Sequence, residues 1–417
     1  MEYGCIGKKL GHSFSKDIHA LLADYKYELC EIPEDSLSDF MKKADFKAIN
    51  VTIPYKEKVI PFLSYISPEA EAIGAVNTIV NNGGRLSGYN TDFAGMRSLI
   101  LKTGIDPEGK TALILGTGGT SRTAAAVLKS LGAKEIKRVS RSGKDGALTY
   151  DGAYENYSGA EIIVNTTPAG MYPDTEGVSV DIERFPHLTG VIDAVYNPLR
   201  TNLILSAKKR GIKASGGLYM LVAQAFYAYR YFTGDEGDGR VINKIYKKIL
   251  SEKENIVLTG MPGSGKTTLG KIIAKKTGKA FYDTDDEIKN MFSSSPDEII
   301  ASEGEAAFRE KETAAVKKLS GLTGAVIATG GGAVLKEENI TALKRNGKVV
   351  FIDRPIEFIK PTADRPLSCD MEKLSARYSE RYPIYLGTAD IKIVPGIDRK
   401  RNAEKIIRSV SGEDTGN

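Results

Sequence analysis

Two glycine-rich turns, each set directly behind an apolar strand and ahead of a helical pattern, constrain this chain more than any other feature. The first lies in LILGTGGTSRTAAAVLKSLG and the second in NIVLTGMPGSGKTTLGKIIAKKTG. Both bring bare backbone N–H groups to the start of a helix, where unpaired donors and the helix dipole favour phosphate. Their designs differ. GTGGTSR at Gly116–Arg122 has the form of a dinucleotide turn, whereas GMPGSGKT at Gly260–Thr267 is a full Walker A loop. A chain of 417 residues also exceeds a single ordinary core. Two nucleotide-binding units are expected.

Short apolar runs alternate with amphipathic stretches along the whole length, which is the mark of α/β architecture. Strands are expected at Ala48–Ile53, Thr111–Leu115, Ile162–Asn165, Val191–Asp193, Ile256–Leu258, Val326–Ala328 and Val349–Ile352. GDEGDG is a turn-forming acidic cluster, and VINKIYKKILSEKEN behind it reads as a terminal helix. The junction between units is therefore placed within Gly234–Asn255, near Ser251–Glu254. SGEDTGN at the end reads as a frayed tail.

Composition excludes several classes. Cys5, Cys30 and Cys369 lack CxxC spacing, so they read as neither a disulfide framework nor a zinc site and fit a reducing cytosol. His12, His19 and His187 do not pair with cysteines or acids at metal-ligand spacing. The formal charge of +5 is modest for this length, and no Lys/Arg block marks a nucleic-acid site. No run approaches the roughly 20 apolar residues of a membrane span, and the N-terminus has no long apolar h-region. A soluble, cytoplasmic protein with small-molecule substrates is expected, without nucleic-acid or membrane partners; its oligomeric state is left open.

In the first half, Gly116, Thr117, Gly118, Gly119 and Thr120 form a turn suited to a pyrophosphate. The next strand runs into KRVSRSGKDG. NAD-preferring folds place an Asp or Glu there for the ribose hydroxyls. This chain instead has Ser140, Arg141, Ser142 and Lys144, the donors a 2′-phosphate requires. NADP(H) is the expected cofactor; a solvated surface role for Arg141 is the plain alternative.

An ordered series of motifs then covers residues 4–230: GKKLGHSFSKDIH, NVTIPYK, GAVNT, GYNTD, GTGGTSR, NTTPAGM, DAVYNPLRT and GGLYMLVAQ. Through them the chain resembles the shikimate dehydrogenases. The resemblance implies a two-lobed dehydrogenase, with residues 1–92 and 216–250 as the shikimate-binding catalytic domain and 93–215 as a Rossmann NADP-binding domain. It implies that Ser13, Ser15, Thr52, Asn77, Tyr196 and Gln224 receive hydroxyls and a carboxylate beside a catalytic pair, Lys56 and Asp92. Their chemistry supports this. Ketone reduction needs a proton at oxygen as hydride reaches carbon, and a lysine oriented by a carboxylate can deliver it. A structural ion pair is the plain alternative. Ala194, Gly217 and Met220 are implied to border the nicotinamide, and His12 is read as a structural, hydrogen-bonded histidine. Ser140 stands where the family often has asparagine, which leaves the strictness of NADP over NAD open.

In the second half, Gly263, Ser264, Gly265, Lys266, Thr267 and Thr268 are placed to cradle ATP, with Lys266 at the β/γ-phosphates and the Thr267 hydroxyl toward Mg²⁺. The guanine-specific NKxD is missing. FYDTDDEI puts Asp283 and Asp285 two apart at a strand end, hence on one side, so that one can serve the metal sphere while the other receives a substrate hydroxyl. Arg309 and Arg381 suit a carboxylate, Gly331 in ATGGGAV lets backbone approach a hydroxylated ring, and Arg365 in DRPLS suits a nucleotide-capping lid. Singly, each arginine reads as a surface ion-pair residue. Together the pattern resembles the shikimate kinases over residues 256–395 and implies a P-loop kinase domain with a parallel sheet at 251–417. PIEFIKPTA, ahead of DRPLS, is shorter than the family's basic lid segment, so water exclusion and ATP affinity are the properties it puts in question. Arg399 lies near the place of an adenine-side arginine.

The expectation is a bifunctional enzyme that reduces 3-dehydroshikimate with NADPH and phosphorylates the shikimate formed with MgATP. A quinate-type NAD dehydrogenase fused to another small-metabolite kinase is one alternative. A degenerate metabolite-binding scaffold is another, and it would be expected to have lost Lys56, Asp92, Lys266 or Asp285; all four are present.

Overall fold

The computed structural model describes residues 1–11, 13–359 and 371–412; His12, Cys369 and the expected lid residue Arg365 lie outside them. By packing, the chain divides into two units, Met1–Ile249 and Leu250–Asn417.

The first unit contains two sheets. One is built from β1 (Tyr3–Gly7), β2 (Tyr27–Glu31), β3 (Ala48–Val51), β4 (Tyr65–Ile66), β5 (Thr78–Asn82) and β6 (Arg85–Tyr89), in the order β2-β1-β3-β5-β6-β4. It is mixed: β1 runs parallel to β2 and β3, whereas β5 is antiparallel to β3 and β6. Every residue of β3 is buried, the hydrogen-bonded Asn50 included, so AINV shows no alternation of buried and exposed positions. The strand ends at Val51, two residues before the expected Ile53, because the chain turns there, Tyr55 N–H donating to Thr52 O at 2.9 Å.

The other sheet is wholly parallel: β7 (Thr111–Leu115), β8 (Glu135–Val139), β9 (Ile162–Asn165), β10 (Gly190–Asp193) and β11 (Lys213–Ser215), ordered β11-β10-β9-β7-β8. The order reverses at β7. A crevice therefore opens at the carboxyl end of β7, where the GTGGTSR turn begins. The Thr91–Thr103 and Leu218–Thr233 helices pack along one another, and the second returns the chain to the mixed sheet, burying Ala228 and Phe232 with Cys5, Tyr27 and Ala48.

The second unit has one parallel sheet: β12 (Asn255–Thr259), β13 (Ala280–Asp283), β14 (Ala325–Ala328), β15 (Gly347–Ile352) and β16 (Ile391–Ile393), ordered β13-β14-β12-β15-β16. Both faces are covered. Ile256 and Leu258 pack with Leu269 and Ile273, while Val257 points the other way to Val316 and Leu319. The Walker A loop leaves the end of β12, the second reversal point in the chain.

The division between units falls inside the Arg240–Lys253 helix rather than in a loop. Ile242, Ile245 and Ile249 form its buried stripe at helical spacing. No helix among the described residues is long and apolar enough to cross a membrane.

Candidate active sites

In the first unit, Lys56 follows the turn after β3 and Asp92 lies in the first turn of the Thr91–Thr103 helix. Lys56 Nζ donates to Asp92 Oδ2 at 2.5 Å. The side chains are 15% and 9% exposed, so the pair is largely desolvated yet reachable. Two elements fix it. Asn90 caps the helix by accepting from Phe93 N–H at 3.2 Å, and its amide donates to Ala75 O at 2.9 Å. Val76 N–H donates to Lys56 O at 2.8 Å. The segment 73–77 thus holds the backbone of the lysine and the cap of the aspartate's helix.

Asn77 is next along that segment. Its Oδ1 accepts from Thr91 N–H at 2.7 Å, its Nδ2 donates to Thr91 Oγ1 at 3.1 Å, and the Thr91 hydroxyl lies 3.4 Å from Gln224 Oε1. Gln224 Nε2 donates to Leu221 O at 3.0 Å. A second group gathers Ser13 and Ser15, whose hydroxyls are 3.0 Å apart, with Tyr196, whose phenol is raised by burial and eased by the Ser13 hydroxyl. Burial pushes the Cys5 thiol up to about 12, against the nearby charge of Lys56, so it is inert. Thr52 closes over β1, its methyl 2.7 Å from where a Cβ on Gly7 would sit. The structure therefore gathers Asn77 and Gln224 around Thr91, next to Asp92, and Ser13, Ser15 and Tyr196 in a second group.

His19 is no part of this chemistry. It is fully buried, stacked on Tyr27 at 3.8 Å, bonded to the Tyr25 hydroxyl at 2.6 Å, and lowered to about 3 by burial.

At the nucleotide turn, Gly116 has φ +109°, and a Cβ there would lie 2.8 Å from Thr166 Oγ1, so only glycine fits. Gly118 has open space where its side chain would be, as backbone that receives a phosphate needs. Thr117, Gly119 and Thr120 complete the turn and helix start. Beyond β8, Arg141, Ser142 and Lys144 are exposed, and Ser140 Oγ accepts from Gly143 N–H at 3.1 Å, ordering that loop. Gly217 abuts Ala194: a Cβ would come within 2.2 Å of Ala194 O. Met220 follows within the same helix. Behind them Asp193 is wholly buried and accepts from Asn165, Thr201 and the Val195 N–H.

In the second unit a cleft of about 840 Å³ is lined by Gly263, Gly265, Lys266, Thr267 and Thr268 of the Walker A loop, with Asp283, Asp285, Arg309, Gly331 and Arg381. Lys266 is buried and donates to the carbonyls of Gly260 and Met261 at 2.9 and 3.0 Å. Thr267 Oγ1 donates to Asp283 Oδ2 at 2.8 Å, so the two oxygens are close enough for one cation to reach both. A Mg²⁺ at bound phosphates needs no more protein than that. Ser264 Oγ, Glu312 Oε1 and Arg381 Nε are buried without partners among the described residues, which fits a site completed by a polar ligand.

Asp283 and Asp285 do not both sit on the strand, as the alternation had implied. Asp283 ends β13 and caps the Thr284–Phe292 helix, accepting from Asp285 N–H at 3.1 Å; Asp285 belongs to that helix's first turn. A helix cap, not a pleat, brings the carboxylates together.

Arg309 bonds Glu305 and Glu312 at 2.8 and 2.7 Å. Arg381 Nη1 and the Tyr385 hydroxyl both donate to Gly331 O, at 3.2 and 2.5 Å. The glycine turn has no room for side chains: a Cβ on Gly331 would meet Pro262 at 2.6 Å, and one on Gly332 would meet the Arg309 guanidinium at 2.1 Å. Among the cleft residues that escaped the sequence reading are the charged Asp297, Glu312, Arg354 and Arg377. Glu312 lies three residues past Arg309 and Arg377 four before Arg381, helical spacings that place each on its partner's face. Arg399 also lines the cleft.

Residues 5–79 match the family model for the shikimate dehydrogenase substrate binding domain, and residues 262–411 match that for shikimate kinase. A shikimate dehydrogenase (NADP(+)) of Clostridium perfringens is 37% identical over 264 residues, spanning 59% of this chain and 97% of its own. Among solved structures, a chorismate mutase/shikimate 5-dehydrogenase fusion protein from Clostridium acetobutylicum is 34% identical with a TM-score of 0.56, covering 59% of this chain and 96% of that one. Shikimate 5-dehydrogenase from Thermus thermophilus, in complex with NADP(H) and shikimate, is 31% identical with a TM-score of 0.53, covering 60% and 99%. The chain is thus a shikimate-pathway enzyme that belongs to the shikimate dehydrogenase family over its first unit and carries a shikimate kinase domain in its second.

Proposed function

We propose that the first unit reduces 3-dehydroshikimate to shikimate with NADPH and that the second converts shikimate to shikimate 3-phosphate with MgATP. The observation that supports this reading is the pair of sites: a largely buried lysine–carboxylate pair suited to protonating a ketone oxygen, and a cleft that joins a Walker A loop to two aspartates and two arginines.

In the first reaction, NADPH supplies the hydride. Asp92 holds the Lys56 ammonium in place, and Lys56 protonates the developing alkoxide. Ser13, Ser15, Thr52, Asn77, Tyr196 and Gln224 receive the hydroxyls and carboxylate. Gly116–Thr120 holds the pyrophosphate, Arg141 with Ser140, Ser142 and Lys144 the 2′-phosphate, and Ala194 with Gly217 the nicotinamide edge.

In the second reaction, Arg309 and Arg381 hold the carboxylate and the Gly331 backbone lies against the ring. Asp285 accepts the proton of the attacking hydroxyl. Gly263, Ser264, Gly265, Lys266, Thr267 and Thr268 orient the phosphates. Thr267 and Asp283 would hold Mg²⁺, which neutralises phosphate charge when bound.

The test is an assay supplying 3-dehydroshikimate, NADPH and MgATP while following NADPH loss and ADP release separately. Sequential release of both products from one preparation supports the reading. NADH used as well as NADPH, or ADP release with other polyol acids and not shikimate, would favour the quinate-type alternative.

A further inference from the structure

We infer that Arg122 is a positioning residue that ties the cofactor-binding helix to the catalytic pair, so that the seat of NADP and the placement of Lys56 are set together. The inference rests on the reductase reading above.

Arg122 lies in the first turns of the Gly119–Ser130 helix, directly after the glycine turn. Its side chain leaves the nucleotide lobe and reaches the mixed-sheet lobe at three points. Nε donates to Ile73 O at 3.0 Å and Nη2 to Gly74 O at 3.4 Å, while Nη2 pairs with Glu57 Oε1 at 2.5 Å. Ile73 and Gly74 end the Pro68–Ile73 helix, whose last carbonyls are unpaired within the helix and carry the negative end of its dipole. A guanidinium, planar and with several donors, can serve two carbonyls and a carboxylate at once; an ammonium is a single point charge.

What Arg122 grips decides its role. Glu57 is the residue after Lys56. Gly74 opens the segment 74–77, which bonds the Lys56 carbonyl through Val76, holds the helix cap of Asp92 through Ala75 and Asn90, and sets Asn77 against Thr91 at the start of the Asp92 helix. Ala75 also lies against the start of the cofactor helix, 3.6 Å from where a Cβ on Gly119 would sit. Arg122 therefore clamps the strap from which both members of the catalytic pair hang. The clamp is partly exposed, 32% at Arg122 and 56% at Glu57, so it adds little to folding stability. Its effect is geometric. Hydride transfer demands close, aligned contact, and a displacement of about 1 Å costs on the order of 100-fold in rate.

The experiment uses the full chain with Arg122→Ala, Arg122→Lys and Glu57→Gln. Reductase kcat and both KM values are measured, together with shikimate affinity with and without NADP⁺. Arg122→Ala is expected to lower kcat roughly 10- to 100-fold, with both KM values changing far less, and to abolish any tightening of shikimate by NADP⁺. Arg122→Lys should recover part of kcat, and Glu57→Gln, which spares both carbonyl bonds, should fall between parent and Arg122→Ala. Kinase turnover on supplied shikimate and the melting temperature should stay at parental values. An active parent with Arg122→Ala kcat within about twofold overturns the positioning role alone. Losses of reductase, kinase and melting temperature in step overturn it too, by assigning Arg122 to folding. A parent without reductase activity refutes the functional reading and this inference with it.

Discussion

Burial pushes the Asp285 carboxyl up to about 6, with Asp283 adding to the push and Lys266 opposing it. A carboxylate accepts a proton only when ionised, so a raised value moves the acid limb of the kinase upward. The kcat/KM for shikimate is expected to hold above pH 6 and to fall about tenfold per unit below it. A limb near the ordinary carboxylate value of about 4 would remove Asp285 from the role of base. The linked effect on stability has the opposite sense: a raised carboxyl favours the folded state at low pH, and that contribution is lost as pH rises through 6. The Asp285 side chain opens onto the cleft, so this effect is screened and small. The reductase has a matching residue-scale test. Lys56→Ala should lower reduction by roughly 10²- to 10⁴-fold and leave kinase turnover on supplied shikimate unchanged. Near-parental reduction would show that Lys56–Asp92 is only a structural pair. Arg141→Ala should raise KM for NADPH about 10- to 100-fold, the worth of a charge-assisted phosphate contact. An equal effect on NADH would count against the 2′-phosphate role.

At the scale of elements, the Gly330–Gly332 turn shows how a loop without side chains places charged ones. A methyl on Gly332 would stand where the Arg309 guanidinium is, 2.1 Å from Nη1. The guanidinium is the movable end of a long side chain, so Gly332→Ala should displace Arg309 from Glu312 rather than unfold the unit. The expected result is a KM for shikimate raised about 10-fold or more, with KM for ATP and melting temperature near parental; a shared rise in both KM values would implicate the whole turn. The motif ATGGGAV was legible, but its reason was not, because Arg309 meets Gly332 only in three dimensions. The same limit explains the rest. Strands Thr111–Leu115 and Ile162–Asn165 were readable because both faces are buried and the runs are unbroken. β1 and β2, YGCIG and YELCE, break their apolar runs with small, cysteine and acidic residues and gave no such signal. Asp285 was found by motif yet misplaced onto the strand, since the side-chain cap made by Asp283 leaves no period to read. Arg122 was visible as the end of GTGGTSR. Its carbonyl partner Ile73 lies 49 residues away, and backbone acceptors carry no residue identity.

At the scale of the whole molecule, the residues assigned to reduction precede Gly234 and those assigned to phosphorylation follow Asn255, with the Arg240–Lys253 helix between them. That helix changes how the halves should be separated. Its stripe of Ile242, Ile245 and Ile249 is buried, and Tyr246 meets Tyr219 edge-on at 5.2 Å, so the first unit needs it to Ile249. Its end serves the second unit: Lys279 Nζ donates to the carbonyls of Ser251, Glu252 and Glu254 at 2.8 to 3.0 Å, and Gly324 N–H donates to Lys253 O at 2.7 Å. A cut in the GDEGDG turn would strip the first unit of buried isoleucines, whereas a cut between Ile249 and Leu250 leaves each unit its own contacts. Each unit has its own sheets and cores and lies within the size of an independent fold. Residues 1–249 expressed alone should reduce 3-dehydroshikimate, and residues 250–417 alone should phosphorylate shikimate, each at near-parental rate. Joining them would then act through matched expression and proximity, raising shikimate locally without a sealed passage. Soluble fragments with parental kcat values would bear this out. Loss of either activity, restored on mixing the fragments, would show instead that one unit completes the other's site.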